Sequence, residues 1–132
     1  MFKHELFDSV EFERVEIDGK RHYKVPGGNT YKSVTTALGV LNADAIQAWR
    51  KRVGEDVANT TSSRAAARGT SMHAICENYM LNRPEYLKRS NGKAFMPNHI
   101  EMFNRLKPYL DQYVDEVYGI ELRMYSDELQ LA

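Results

Sequence analysis

Three residues at four-residue steps in one alanine-rich segment are the strongest candidates for chemistry in this chain. Gly69, His73 and Glu77 lie in the stretch RAAARGTSMHAICENYM, which spans residues 64–80. Because residues four apart stack on one face of a helix, a glycine, an imidazole and a carboxylate would share one stripe. A helix that only fills a core would carry Leu or Ile at these positions.

An imidazole and a carboxylate one helical turn apart can reach the same divalent cation. His73 and Glu77 are therefore candidate ligands of Mg²⁺ or Mn²⁺, although hard cations prefer oxygen donors. Gly69 leaves room for a phosphate to approach, and Arg68 and Thr70 can donate hydrogen bonds to it. The simpler interpretation is a His–Glu pair on a solvated helix face, with Arg68 and Thr70 serving only to start and cap a helix.

Three further residues have side chains suited to nucleic acid, each with a structural alternative. The hydroxyls of Ser33 and Thr35 can contact phosphate, but Ser33 can equally cap a helix. Trp49 can stack on an unpaired base, or it can pack in a core beside Ile46 and Val53.

Cysteine content and charge limit the classes of site that the chain can build. The single cysteine, Cys76, excludes an internal disulfide and a four-cysteine zinc or iron–sulfur site, and its neighbours favour core packing. The 18 basic and 18 acidic residues cancel, but segment 20–68 is net +6 and segment 69–108 is net +3. Such a basic middle can line a phosphate-binding surface, or it can be chance variation in a neutral protein.

Hydropathy shows no membrane or targeting segment. No apolar run approaches the ~18 residues that a spanning helix needs. Segment 1–19 is net −4 and is broken by charges, unlike a signal or transit peptide. The sequence therefore fits a cytoplasmic protein, or one in the host cytoplasm if the source is a virus.

The elements that must position these residues can be predicted from periodicity and turn signals. The runs VEFERVEI and KRHYKV flank Asp-Gly and predict a hairpin, and PGGNTY predicts a loop. A short helix should begin at Ser33, followed by one or two helices joined at Gly54. Gly69 should begin the helix that carries the candidate stripe and ends near Asn82.

The last third of the chain predicts a long helix and then a strand. Pro97 should open a helix over residues 98–118, kinked or broken at Pro108 and stopped by Gly119. The run IELRMYS alternates and predicts a strand, with a second strand starting in DELQLA. A thin sheet for so many helices suggests a fragment of a longer domain, the alternative being a compact natural terminus.

The order of these motifs resembles a known nuclease group. RGTSMHAICENYM resembles the first motif of the RecB-like branch of the PD-(D/E)xK nucleases, Gly-x-x-x-His-x-x-x-Glu. Upstream, YKSVTTALGVL and AWRKRVGEDVAN resemble the mitochondrial genome maintenance exonuclease family and its phage-encoded relatives in DNA replication and repair. Lys32 stands where those proteins usually have proline. The resemblance covers about residues 20–132.

The resemblance implies a helix-rich α/β, or α+β, domain that is incomplete and restriction-endonuclease-like. Its segments would be a hairpin and loop (1–32), a helical part (33–118) and the start of the core sheet (119–132). It implies that His73 and Glu77 face a Mg²⁺ or Mn²⁺ site, that Glu121 on the first core strand points toward it, and that DNA contacts fall to a further set of residues. That set comprises Ser33, Thr35, Trp49, Arg68, Gly69 and Thr70.

The family pattern continues with Gly-x-x-Asp and Asp/Glu-x-Lys, and neither follows Glu121 here. The function implied is a metal-dependent exonuclease acting on single-stranded DNA, with this chain alone inactive. A partner polypeptide would supply the missing motifs if the gene is split. The alternatives are a non-catalytic single-stranded nucleic-acid-binding module and a small helical scaffold protein.

Overall fold

A computed structural model describes all 132 residues and shows an α+β protein with three helices and five short strands. In chain order the elements are β1 (Lys3–His4), β2 (Glu13–Ile17), β3 (Lys20–Lys24), β4 (Thr30–Lys32), α1 (Val34–Val53), α2 (Glu55–Met80), α3 (Pro97–Tyr113) and β5 (Glu116–Val117). The chain forms two compact units. Unit 1 comprises Met1–Phe7 and Asn59–Glu121, and unit 2 comprises Asp8–Ala58 and Leu122–Ala132. No helix is both long enough and apolar enough to cross a membrane.

The predicted hairpin is confirmed and forms the centre of unit 2. Strands β2 and β3 pair antiparallel, with Ile17 opposite Lys20 across the turn. Asp18 and Gly19 both have positive φ, 51° and 70°, as a two-residue hairpin turn of the primed type requires. Strand β4 adds to β3 in antiparallel register and completes a three-stranded sheet.

Residues 119–125 form no strand, so the prediction of a core strand there is wrong. Glu121 has a φ of 52°, which breaks the extended backbone that alternation predicted. The following segment pairs only through single residues, Leu131 with Ser126 and with Lys32 at the edge of β4. The amide of Ala132 donates to the carbonyl of Lys32 over 3.1 Å. This end of the chain therefore covers a strand edge without forming a regular strand.

Helix α1 begins where its cap was predicted but is longer than predicted. Ser33 precedes it, and its Oγ accepts a hydrogen bond from the Thr36 amide over 3.1 Å, so the capping interpretation of Ser33 is confirmed. The helix runs on to Val53, and Gly54 forms the predicted joint with a φ of 89°. A positive φ of this kind favours glycine, which explains why the chain turns there.

Gly69 does not begin a helix, because α2 is continuous from Glu55 to Met80 and includes it. An internal glycine costs a helix only about 1 kcal/mol relative to alanine, which the strong helix formers around it can offset. The prediction that the helix stops near Asn82 is confirmed to within two residues, and Asn82 itself has a φ of 57°.

Helix α3 opens at Pro97 as predicted but ends earlier than predicted. It passes through Pro108 and stops at Tyr113, not at Tyr118 or Gly119. The chain then becomes extended because β5 pairs in parallel with β1, more than 100 residues away in the sequence, and buries Val117. This distant pairing overrides the local helical pattern.

The core of unit 1 lies between α2, α3 and the segment that joins them. Ile75, Phe95 and Phe103 are its buried residues. Tyr79 packs edge-on against Phe103 with ring centroids 5.3 Å apart. Cys76 packs at the margin of this cluster, which confirms its assignment to the core, and burial raises the pKa of its thiol.

Candidate functional site

The second half of α2 has two faces, and the candidate stripe lies on the one that points away from the core. Ile75 and Tyr79 pack inward, whereas His73 lies about 200° around the helix from Ile75 at ~100° per residue. The helix thus holds Gly69, His73 and Glu77 on a single accessible stripe, as the spacing predicted. They line one open pocket of about 470 Å³ with Thr70, Ala74 and Glu121.

Glu121 reaches this pocket from a bend, not from the strand on which it was predicted. Its φ of 52° turns the backbone after β5 so that the carboxylate meets α2. His73 Nδ1 donates to Glu121 Oε1 over 3.2 Å across a separation of 48 residues, since a carboxylate can only accept. The bond assigns the proton of a neutral ring to Nδ1 and leaves Nε2 with a free lone pair.

Solvent exposure makes this pair weak as a stabilising contact. The side chains of His73 and Glu121 are 76% and 62% exposed. Ion pairs and charged hydrogen bonds that are this solvated contribute little to folding, typically below about 1 kcal/mol. The fold therefore gains little from bringing these two groups together.

Glu77 lies beside a basic side chain at the surface of unit 1. Its Oε1 lies 3.9 Å from Arg83 Nη2, and its side chain is 39% exposed. At that distance the contact is a long ion pair, and Glu77 remains part of the pocket lining.

The pocket offers a divalent cation three donor side chains, those of His73, Glu77 and Glu121. Mg²⁺ usually keeps several waters and is bound through one or two carboxylates, so these side chains are donors of the right kind. They do not converge as a group of three around one point.

The remaining predicted contact residues divide between the units. In unit 1, Thr70 lines the pocket, while Arg68 is exposed on α2 but is not part of the lining. In unit 2, the Oγ of Ser33 lies 3.2 Å from Oγ1 of Thr35, and Trp49 is half-buried on α1. None of these last three residues lines the pocket.

A second, larger pocket of about 640 Å³ adjoins the first and was missed by sequence reasoning. It shares Ala74 and Glu77 with the first pocket and is lined on its far side by Arg83, Lys88 and Arg89. The polar composition of residues 83–95 predicts only a connection between two helices. The signal that could have found it is the net +3 charge of residues 69–108 together with the Lys-Arg pair.

The fold and the pocket thus define a small α+β protein with an exposed His–carboxylate pair beside a groove that three basic and two acidic side chains line. Comparison with protein-family models, curated proteins and solved structures found no match to the chain.

Proposed function

We propose that this chain belongs to a metal-dependent DNA exonuclease of the RecB-like PD-(D/E)xK type, with a restriction-endonuclease-like fold. One observation carries the proposal: Glu121 meets the stripe formed by Gly69, His73 and Glu77 at a single pocket, from 48 residues beyond His73. The stripe resembles the family's first motif, and Glu121 stands in the family's following segment. Their convergence is what such an enzyme needs at the edge of its active site.

The chemistry assigned to these residues is strand binding and positioning. Gly69 offers open space within 4 Å of where a Cβ would stand, so a phosphate can approach the helix there. The Thr70 hydroxyl can donate to that phosphate, and His73 lines the same pocket. Hydrolysis in this family also needs a lysine, and no lysine lines the pocket. We therefore assign no hydrolytic step to these residues alone.

The test measures the binding of a fluorescein-labelled single-stranded oligothymidylate by fluorescence anisotropy. The buffer contains about 1 mM Mn²⁺. For two or three phosphate contacts, affinity should fall about tenfold between 50 and 200 mM salt. The purified chain should leave the oligonucleotide uncut. His73→Ala should weaken binding, whereas Tyr113→Ala, at an exposed residue of α3 outside the pocket, should not.

Two results would contradict the proposal. Absent or salt-independent binding would leave only a scaffold role. Cleavage by the wild type that disappears in His73→Ala would show that the active site is already complete.

The second candidate is a non-catalytic single-stranded nucleic-acid-binding module. The three basic side chains of the second pocket favour it, because they can bind a phosphate backbone without a metal ion. Under this alternative, binding would be the same with Mn²⁺ and with EDTA, and His73→Ala would bind as wild type.

A further inference from the structure

The segment after α2, residues 83–95, is a fixed turn and not a loose connection. The Arg89 amide donates to the Lys93 carbonyl over 2.8 Å, and the Gly92 amide donates to the Arg89 carbonyl over 2.9 Å. Lys88 and Ala94 pair across it in antiparallel fashion. Gly92 has a φ of 79°, which suits glycine at the tip of a tight turn.

Two contacts hold this turn against α2 at the level of the candidate site. The Asn78 Nδ2 amide lies 3.4 Å from the carbonyl oxygens of both Tyr86 and Lys88, and its Oδ1 accepts from Arg83. Phe95 is buried in the core with Ile75. Asn78 follows Glu77 in α2. The turn therefore contacts α2 at the residue next to the last member of the stripe.

The charges in the turn are not equally available to a ligand. Lys88 forms an ion pair with Glu85. Arg83 donates a hydrogen bond to Asn78 and lies 3.9 Å from the Glu77 carboxylate. Arg89 makes no ion pair, and its guanidinium lies 5.5 Å from the centroid of the Phe95 ring. The ring supports the guanidinium from one side, which reduces the freedom that a ligand would have to remove.

We infer that Arg89 forms a phosphate subsite for the nucleic-acid strand, one backbone step from the pocket at His73. This inference rests on the proposed function and identifies which part of the substrate the second pocket binds. The adjoining pockets, of about 470 and 640 Å³, can accept consecutive units of a polymer. A guanidinium matches a phosphate through paired N–H donors, which Arg89 has free.

The experiment compares Arg89→Gln with Arg105→Gln in the full chain. Arg105 is an exposed arginine of α3 that pairs with Glu101 and lies outside both pockets. Both variants remove one positive charge, but only Arg89→Gln removes it from the proposed subsite. Arg89→Gln should weaken oligothymidylate binding by about tenfold and reduce the magnitude of the salt slope by about 0.7. Arg105→Gln should stay within about twofold of wild type, and Arg89→Lys should recover part of the loss.

Equal effects of Arg89→Gln and Arg105→Gln would overturn the subsite, while a loss of binding in His73→Ala would leave the proposed function standing. Failure of the wild type to bind at all would overturn both. Circular dichroism melts check that Arg89→Gln folds. If it does not fold, Arg89→Met, which keeps an unbranched side chain beside Phe95, takes its place and should reduce the magnitude of the salt slope in the same way. Binding of oligoglutamate as tightly as oligothymidylate would show a site for any polyanion and would overturn the assignment to phosphate.

Discussion

The two faces of α2 carry the same spacing and have opposite environments. Ile75 and Tyr79 are four residues apart on the inner face, and His73 and Glu77 are four residues apart on the outer face. Ile75 is 0% exposed, whereas the His73 side chain is 76% exposed. The inner face holds unit 1 together, and the outer face contributes almost nothing to its packing.

The polar groups at the edges of the two faces differ in the same way. Tyr79 donates to Asp111, and Lys107 lies 2.7 Å from Asp111 and 5.0 Å from the centroid of the Tyr79 ring. The polar groups of Tyr79, Lys107 and Asp111 therefore have one another as partners. On the outer face, His73 contacts Glu121 through Nδ1 and lines the pocket with it. Polar groups that are left open beside a cavity have capacity to bind a ligand.

The largest expected effect is on the inner face, where Ile75→Ala should lower the free energy of unfolding by about 2–5 kcal/mol. The substitution leaves a cavity in the core cluster that Ile75 forms with Phe95 and Phe103. Urea denaturation followed by circular dichroism measures the change. A loss below about 1 kcal/mol would show that the two faces do not differ as described.

Gly69→Ala should raise the free energy of unfolding by about 0.5–1 kcal/mol, because alanine is the better residue inside a helix. Nothing lies within 4 Å of the new Cβ, so no clash opposes the gain. The same variant should bind the oligonucleotide more weakly, since the methyl group occupies the approach to the stripe. A more stable variant with unchanged binding would separate Gly69 from the site.

Asp111→Asn should cause a smaller loss of stability, and that loss should depend on pH. The hydrogen bond from Lys107, and then that from Tyr79, lower the pKa of Asp111 below its ordinary value of 3.8. A lowered pKa in the folded state gives stability that is present at neutral pH and is lost as the pH falls through that pKa. The difference in melting temperature between wild type and Asp111→Asn should therefore shrink from about pH 7 to about pH 3. A difference that stays constant over this range would contradict the assignment.

His73→Ala should have the smallest effect on stability, within about 0.5 kcal/mol of wild type, because its hydrogen bond is solvated. Its effect should appear in oligonucleotide binding instead. Glu101→Ala, which breaks an exposed ion pair on α3, is the matched control and should change neither property. A large destabilisation by His73→Ala would show that the outer face is structural.

Prediction from the sequence succeeded where the signal is local. The Asp18–Gly19 turn, the Ser33 cap and the Gly54 joint each depend on a few neighbouring residues, and all three are present. It failed where a local signal competed with its surroundings. Gly69 was interpreted as a helix start because glycine is a poor helix former, but the residues on both sides carry the helix through it.

The candidate site was predictable only in part, for the same reason. The stripe on α2 follows from the four-residue spacing, which the helix preserves. The exonuclease interpretation of that stripe stays a prediction. The basic turn at residues 83–95 could not be placed beside Glu77 from sequence, because its position depends on Asn78 and on the burial of Phe95.

The sequence by itself determined that a glycine, an imidazole and a carboxylate lie along one helix face, since helical periodicity is a property of neighbouring residues. Only the tertiary structure decided that Glu121 meets them and that Arg89 lies nearby. The position of Glu121 depends on where β5 pairs and where the chain bends after it, and that of Arg89 depends on Asn78 and on the burial of Phe95. Such contacts leave no periodic trace in the sequence. The physical reason is that long-range contacts are chosen by burial and pairing across the whole fold.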